Sequence, residues 1–284
     1  MTDATLLLET ASARTNPRRT ARRRATFAFS LLLSIVVAAA ALPESWLSVD
    51  PFARRLAPGL LHPFGTDLLG RDVAARTLTA LSNSISIGIM AALASTTVAV
   101  ALSLAATLNP WLDRLVGILT ELTLGLPHFV LILMIAYAFG GGWTGVVIGV
   151  AFTHWPRLSR VLRLEAQTVA QSDYVAISAA LGRSRLWIAQ HHLAPHLVPQ
   201  IIAGFVLIFP HAILHEAGLS FIGLGIEPHI PSIGVMLAES LRAVMSGLWW
   251  VAVFPGLGLV IVALSFEFLG ESLRQVSNPT EGVA

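Results

Sequence analysis

The chain has 284 residues, of which 55% are hydrophobic and 12% are charged, and its formal net charge is +2. Soluble domains are about 45–50% apolar and about 25% charged, so this chain has too few polar side chains to cover a soluble protein, and a membrane protein is favoured. The absence of cysteine excludes disulfides, thiolate catalysis and cysteine-ligated metal centres, and the absence of lysine excludes a phosphate-binding loop of the GxxxxGK[ST] type.

The first residues are polar and basic and have no apolar period, so residues 1–25 are predicted to be a disordered cytoplasmic tail. The apolar segment Phe27–Leu42 follows and can be extended to spanning length. A cleaved signal peptide is the alternative, because arginines precede a short apolar segment with small residues. Five further apolar segments follow, and they favour a retained membrane helix.

Six segments are long enough to cross a hydrocarbon core about 30 Å thick as helices that rise about 1.5 Å per residue. The third contains Glu121, whose insertion cost of about 3 kcal/mol is offset by the surrounding apolar residues. We therefore predict an all-α membrane protein with six transmembrane helices. The segments are Phe27–Leu42, Ser84–Leu108, Leu115–Phe139, Trp143–Leu162, His196–Ile222 and Leu248–Leu269.

The arginine distribution predicts the orientation of these helices. Six helices place both termini on the same side, and the segments on that side contain thirteen arginines, whereas the segments on the opposite side contain five. Because positive residues accumulate on the cytoplasmic side, both termini are predicted to be cytoplasmic. Residues 43–83 and 221–247 are then sizeable outer loops.

The predicted cytoplasmic loop at residues 164–195 has the pattern of two short helices. Asp173 can cap a helix over Tyr174–Leu181, and Gly182 suits the left-handed residue at its end. A second helix is predicted over Leu186–Leu193, stopped by Pro195. The sequence therefore predicts a folded loop rather than an irregular one.

The basic residues of this loop, Arg183 and Arg185, permit two interpretations. In the first, an amphipathic helix is held at the membrane surface by lipid headgroups. In the second, the loop is a docking element for a cytoplasmic partner.

The fifth predicted span contains His211 and His215, four residues apart on one helical face, with Glu216 beside them. Polar residues at membrane depth commonly face a cavity or a transport pathway. The alternative is that both histidines form hydrogen bonds to neighbouring helices. A metalloprotease is excluded, because the glutamate of an HExxH motif is absent.

The first outer loop contains the charged residues Asp67, Arg71 and Asp72. They could contact an external partner protein, or they could pair with one another. The sequence leaves both interpretations open.

Several stretches together resemble the C-type permease of binding-protein-dependent ABC importers of dipeptides, oligopeptides and nickel. Gly182 is followed thirteen residues later by Pro195, as in the EAA loop of that family. The resemblance extends over residues 27–279 and implies an ABC type I importer transmembrane fold, with a first helix and outer loop at 26–83, a permease domain at 84–274 and a cytoplasmic tail at 275–284. Its other motifs are HPFGTDLLGRDV (62–73), LPHFVL (126–131), EAGLSFIGLGIEP (216–228) and FPGLGLVIVALSFEFLGESLR (254–274).

The resemblance also implies the partners. A second homologous permease, two ABC ATPase subunits and an extracytoplasmic solute-binding protein are expected, within membrane lipid and without nucleic acid. The chain itself is expected to be no enzyme and to bind no cofactor, since ATP and Mg would be bound by the ATPase subunits. Asp67, Arg71 and Asp72 would face the binding protein. The residues expected to contact the ATPase are Asp173, Tyr174, Ala176, Gly182, Arg183, Arg185 and Pro195.

The chain departs from the family pattern at Ala176, where an acidic residue is usual, so the ion pair of that acid with an ATPase cannot form. The nickel-type branch of the family is similar in lacking this acid and in its histidines. This similarity implies a translocation pathway with His154, His211, His215 and Glu216. The implied substrate is a peptide, a nickel ion or a metal chelate.

Two other functional classes remain open at this point. A proton-coupled secondary transporter could use Glu121 or the two histidines of the fifth span as a proton relay. A membrane anchor or receptor without transport is disfavoured by the long inner and outer loops.

Overall fold

The computed structural model describes residues 17–277, and the regular elements within that range are all helices. A one-turn 3-10 helix covers Glu44–Leu47, and a short π-helix covers Ala189–Leu193. The α-helices are α1 (Pro17–Ala40), α2 (Val73–Leu108), α3 (Pro110–Gly125), α4 (His128–Ala138), α5 (Gly142–Ala170), α6 (Asp173–Ala180), α7 (Arg185–Ile188), α8 (Ala194–Phe221), α9 (Ile233–Met245) and α10 (Trp250–Ser277).

The starts of several helices are explained by side chains that bind the free backbone N–H groups of the first turn. The carboxylate of Asp72 accepts a hydrogen bond from the N–H of Ala75 at 2.8 Å and starts α2. The side chain of Asn109 does the same for α3, whose first residue is Pro110, and Ser232 does so for α9. These caps place the helix starts outside the most apolar segments.

Four helical segments within residues 17–277 are long and apolar enough to cross a membrane, and the pair α3 and α4 makes a fifth if it is counted as one span. Helix α5 has 29 residues but is not among them, because side chains such as His154, Arg157 and Arg160 lower its hydropathy. The predicted class, an all-α membrane protein, is confirmed. The number six and the cytoplasmic location of both termini stay predictions.

The predicted third span, Leu115–Phe139, is wrong as a single helix. Helix α3 ends at Gly125, α4 starts at His128, and the two helices are bent by 102° relative to each other. Pro127 lies at the break, where its ring disfavours a helical conformation of the residue before it. Leu126 accordingly has extended backbone angles, φ −91° and ψ 149°.

The ends of the chain also differ from the prediction. Helix α1 starts at Pro17, so the predicted disordered tail is wrong for residues 17–25, while residues 1–16 lie outside the described range. Arginine is a good helix former, so the basic segment extends the apolar helix. Helix α10 continues to Ser277, so the predicted tail at 275–284 begins within a helix, and residues 278–284 lie outside the described range.

The helices pack closely where small residues face large ones. The ring of Phe209 on α8 is fully buried and stacks on Phe266 of α10, with ring centroids 3.4 Å apart. Gly88 of α2 lies against the same ring, and a Cβ atom there would be 2.8 Å from it. Ser103 of α2 and Ser159 of α5 are hydrogen-bonded through their hydroxyl groups at 2.9 Å. Close packing over small residues is typical of helices in membranes.

The outer faces of the helices carry exposed apolar side chains. Phe27 is 72% exposed, and Leu33 and Val37 on the same helix are also exposed. Contiguous apolar surface of this extent is unfavourable in water and is typical of contact with lipid.

Candidate functional site

Two features contain the residues predicted to be functional. The first is the segment that joins α5 to α8, residues 171–195, which includes the first two residues of α8 and which we call the connecting segment. The second is a group of histidines between α4, α5 and α8.

The connecting segment is fixed to the ends of the long helices by a small apolar cluster. The cluster joins its own buried side chains to Val169 at the end of α5 and to Leu104 and Leu108 at the end of α2. The segment is therefore a folded part of the bundle and not a mobile linker. Its buried members are Val175, Ile188, Ala189 and Leu193.

Gly182 forms the turn between α6 and α7. Its φ is +80°, and its N–H donates a hydrogen bond to the carbonyl of Ala179 at 3.0 Å. A Cβ atom at this position would have no neighbour within 4 Å, so glycine is required by the backbone conformation and not by lack of space. The predicted left-handed glycine is confirmed.

The opposite face of the connecting segment is exposed and largely apolar. Leu181 is 77% exposed, and Asp173 and Ala176 are also exposed. Exposed apolar surface at the end of a helix bundle is typical of contact with a partner protein. The other large exposed apolar residues are Tyr174, Ile177 and Leu186.

The two arginines of the segment have different environments. Arg183 is exposed, and its guanidinium group lies over the ring of Trp187, 4.6 Å from the centroid. Arg185 donates a hydrogen bond to the carbonyl of Leu108, the last residue of α2, at 3.0 Å. A cation at a helix C-terminus is favourable because it binds a free carbonyl and opposes the helix dipole. Arg185 therefore holds the segment to α2, whereas Arg183 remains available on the surface.

Two details of the predicted loop are wrong. Ser172 and not Asp173 occupies the N-cap position of α6, so Asp173 lies in the first turn. Pro195 does not stop the second helix, because α7 passes through the π-helix into α8 and Pro195 lies in the first turn of α8. Proline is tolerated in the first turn of a helix because the N–H that it lacks is not needed there. The π-helix directly before Pro195 has a wider turn, which changes the hydrogen-bond register at this point.

Three histidines from different helices lie close together. They are His128 at the start of α4, His154 on α5 and His215 on α8, and one ring nitrogen from each lies within 4.8 Å of the other two. We call them the histidine triad. His128 Nε2 and His154 Nε2 are 3.3 Å apart. His211 lies at the edge, with its ring centroid 6.2 Å from that of His154.

The orientation of His154 is fixed by its second nitrogen. Nδ1 lies 3.2 Å from the carbonyl oxygen of Val150, which can only accept, and 3.1 Å from the hydroxyl of Thr153, whose proton is donated to the carbonyl of Gly149. Nδ1 therefore carries the proton, and Nε2 presents a lone pair towards His128.

A cavity of about 400 Å³ opens beside the triad between α5 and α8. His154 and His211 line it, together with Arg157 and mostly apolar side chains. Gln200 also lines it, and its buried side-chain oxygen has no hydrogen-bond partner within the described part of the chain. The cavity thus combines an apolar wall with one cationic and one amide group.

Glu216 does not belong to the histidine triad and does not line the cavity beside it, so its place in the pathway stays a prediction. Its side chain is fully buried, accepts a hydrogen bond from the hydroxyl of Ser220 at 2.8 Å, and is also in contact with Ser84 of α2 and with Ser232 before α9. Successive residues of an α-helix point about 100° apart, so His215 and Glu216 face different neighbours. Glu216 therefore faces α2 and the segment before α9 and not the histidine triad.

The charged residues of the first outer loop are paired within the protein. The buried carboxylate of Asp67 binds Arg71 at 2.6 Å and Arg76 at 2.9 Å. Both arginines also bind Glu239 of α9, at 2.9 and 2.8 Å respectively. The two predicted outer loops therefore meet at one end of the bundle, and α9 belongs to the second of them.

Asp72 is also buried, and besides capping α2 it binds His62 at 2.8 Å. The burial of Asp67 and Asp72 favours the alternative in which these charges pair inside the protein. Contact with a binding protein is not supported for these two residues, and Arg71 is the partly exposed member.

Glu121 is exposed and binds Arg160 of α5 at 2.6 Å. Asp113 and Arg163 form a second ion pair between α3 and α5. Glu121 therefore pairs α3 with α5, and it belongs neither to the histidine triad nor to the cavity lining.

Three residues of the site were not identified from the sequence, namely His128, Arg157 and Gln200. His128 belongs to the quoted stretch LPHFVL, and the proline before it was the available signal, since a break there starts a new helix on a histidine. Arg157 and Gln200 had no signal beyond being polar residues near apolar spans.

Comparisons with known proteins agree over most of the chain. A family model described as a binding-protein-dependent transport system inner membrane component matches residues 84–279. A putative peptide transport system permease protein of Brucella suis biovar 1 is 32% identical over 268 residues, which cover 92% of this chain and 90% of that protein. The dipeptide transport system permease protein DppC of Bacillus subtilis is 30% identical over 238 residues, which cover 84% of this chain and 74% of that protein.

Proposed function

The chain belongs to the family of binding-protein-dependent transport system inner membrane components, and from this premise we propose that it is the permease subunit of an ATP-driven importer for small peptides. It is a multi-pass protein of the inner membrane and a transport subunit that acts with other subunits. The predicted class of ABC importer permease agrees with this membership. The proposal concerns its substrate, its partners and the way in which it works.

One observation carries the proposed mechanism: the connecting segment joins the two helices that line the cavity. Helix α5 ends at Ala170, two residues separate it from α6, and the π-helix continues directly into α8. A displacement of the connecting segment is therefore transmitted to both cavity walls. In this proposal closure of two ATPase subunits moves the segment, and the cavity faces alternately outward and inward.

The proposed partners follow from the two ends of the bundle. The exposed apolar face of the connecting segment docks on the ATPase subunits, which bind ATP and Mg, whereas this chain binds no cofactor. Since Ala176 replaces the acidic residue usual in the family, docking rests on apolar contact and on Arg183. A second homologous permease completes the pathway within the lipid, a solute-binding protein delivers the substrate at the outer end, and nucleic acid has no role.

A peptide substrate is supported by the names of the relatives and by the lining of the cavity. A volume of about 400 Å³ lies within the range of small-molecule sites. The guanidinium group of Arg157 can bind the terminal carboxylate of a short peptide, and the free oxygen of Gln200 can accept a hydrogen bond from its N–H groups.

A nickel ion or a metal chelate is the second candidate substrate, and the histidine triad is the observation that favours it. Proton-coupled transport through Glu121 has no comparable support, because that carboxylate is exposed and paired with Arg160.

The peptide proposal is tested by uptake into liposomes that contain the complete transporter. Arg157→Gln removes a charged hydrogen bond worth about 1.5–3 kcal/mol, so the KM for a dipeptide should rise about tenfold or more. Arg160→Gln is the matched control on the same helix, since that side chain is exposed and does not line the cavity. An equal change in both variants, or no change in Arg157→Gln, would contradict the assignment.

A further inference from the structure

We propose that the histidine triad is a binding site for a divalent transition-metal cation that arrives bound to a small carboxylate-bearing ligand. The inference rests on the proposed function, because it places the site on the same translocation pathway. It assigns the coordinating residues and the form in which the metal is bound.

The first argument is the geometry of the nitrogens. An ion about 2.1 Å from two nitrogens in a tetrahedral site separates them by about 3.4 Å. His128 Nε2 and His154 Nε2 are already 3.3 Å apart, and the ligand nitrogen of His215 lies within 4.8 Å of both. Small rotations of the half-buried rings of His128 and His215 about the buried His154 close the set. The ligands come from three helices, so a bound ion joins α4, α5 and α8.

The second argument is that the ring of the buried histidine, His154, is already oriented for metal binding. Histidines that bind metals commonly donate their other N–H to a backbone carbonyl, which fixes the ring and leaves one nitrogen free for the ion. His154 has this arrangement, with Nδ1 3.2 Å from the carbonyl oxygen of Val150. A triad of three imidazoles favours nickel, copper or zinc over calcium or magnesium, which prefer oxygen ligands.

The third argument is access. His154 belongs both to the triad and to the wall of the cavity, so an ion in the cavity reaches the triad directly. His211 lies on the same wall, and its Nδ1 lies 3.2 Å from the carbonyl oxygen of Leu207, which leaves Nε2 free. His211 can therefore bind the ion transiently on its way to the triad.

The form of the metal follows from the charge beside it. Arg157 lies one turn from His154 on α5, and both side chains line the cavity. A fixed positive charge opposes the binding of a bare dication in a site of low dielectric constant. A carboxylate on the metal's own ligand removes this repulsion by pairing with Arg157. The site therefore fits a metal complex of an amino acid or a short peptide better than it fits the free ion.

The test measures metal binding to the complete transporter in lipid nanodiscs without ATP, using Ni²⁺ alone and Ni²⁺ bound to a dipeptide. We expect X-ray absorption to show imidazole nitrogens around the nickel. His128→Gln and His215→Gln each replace a partly exposed ring that is proposed to bind the metal directly. Loss of a residue that only hydrogen-bonds to a metal ligand weakens metal binding about 10–100-fold, so each of these variants should weaken it by more than that. His196→Gln is the control, since this histidine lies on α8 but pairs with Glu165.

Comparing Ni²⁺ alone with Ni²⁺ bound to a dipeptide tests the binding site and the bound form of the metal separately. Wild-type protein should bind the dipeptide complex more tightly than Ni²⁺ alone, and Arg157→Gln should reduce that difference. If the triad variants and the control bind nickel equally well, the triad is not the metal site. If the wild type binds bare Ni²⁺ more tightly than the dipeptide complex, the metal is not bound as a complex. Dipeptide uptake driven by ATP in the same preparation tests the proposed function separately, because it can persist when no nickel binds and can be absent when nickel binds.

Discussion

A proline at position 182 should detach the connecting segment from its ATPase partner without preventing the protein from inserting into the membrane. The N–H of Gly182 donates to the carbonyl of Ala179 at 3.0 Å, and its φ is +80°. Proline has no N–H and fixes φ near about −65°, so Gly182→Pro removes the hydrogen bond and redirects α7 relative to α6.

The magnitude follows from the contacts that are lost. The hydrogen bond contributes about 0.5–1.5 kcal/mol, and exposing one apolar side chain of the buried cluster costs about 1.5–3 kcal/mol more. A total of about 2–4.5 kcal/mol corresponds to an affinity for the ATPase subunits that is about 30- to 2,000-fold lower. Co-purification of the ATPase subunits and their titration onto permease in nanodiscs measure this affinity.

Gly247→Pro is the matched control. Gly247 has a φ of +85°, donates its N–H to the carbonyl of Val244 at 2.9 Å, and like Gly182 has free space where a Cβ would lie. It joins α9 to α10 at the opposite end of the bundle, so ATPase binding should be unchanged. Normal ATPase binding by Gly182→Pro, or an equal loss in both variants, would refute the docking role of the segment.

Four further predictions concern packing and fixed charges. Gly88→Ala places a methyl group 2.8 Å from a buried aromatic ring and should destabilise the protein by about 1–3 kcal/mol, whereas Gly256→Ala meets only an atom at 3.9 Å and should not lower the midpoint of thermal unfolding. Asp67→Asn removes the buried carboxylate that Arg71 and Arg76 share but leaves both arginines paired with Glu239, so it should cost about 1–3 kcal/mol of stability in the same measurement. Arg185→Ala removes a charged hydrogen bond of about 1.5–3 kcal/mol and should speed hydrogen exchange in the connecting segment, and an unchanged exchange rate would contradict its anchoring role. Glu216→Gln should leave uptake unchanged, and a changed substrate preference would return this residue to the pathway.

The apolar spans could be predicted because a membrane helix needs about 20 consecutive apolar residues, and few other structures have that pattern. Helix boundaries were less accessible. Helix α2 starts at Val73 and not at Ser84, since its first turns pack inside the protein and carry polar residues such as Arg76 that lower the apparent hydropathy. Helix α9 was missed within a predicted loop, because it is a short amphipathic helix started by the cap of Ser232.

The connecting segment was predictable because the conformation of Gly182 is a local property of the sequence. The histidine site was only half predictable. His215 was identified by its position in an apolar span and His154 by the resemblance to the nickel-type branch. Their meeting with His128 depends on the 102° bend at Pro127, which brings a third helix to them. Sequence proximity was misleading for Glu216, since neighbouring helix residues face different parts of the bundle.

The central claim is that ATPase subunits open and close the transport pathway of this chain through the connecting segment. One uptake measurement tests this claim most directly. Complete transporter in liposomes, supplied with binding protein and a labelled dipeptide, is compared with the same complex carrying ATPase subunits that bind ATP but cannot hydrolyse it. We predict uptake in the first case and none above background in the second, with a proton gradient present in both. Continued uptake without hydrolysis would contradict the account.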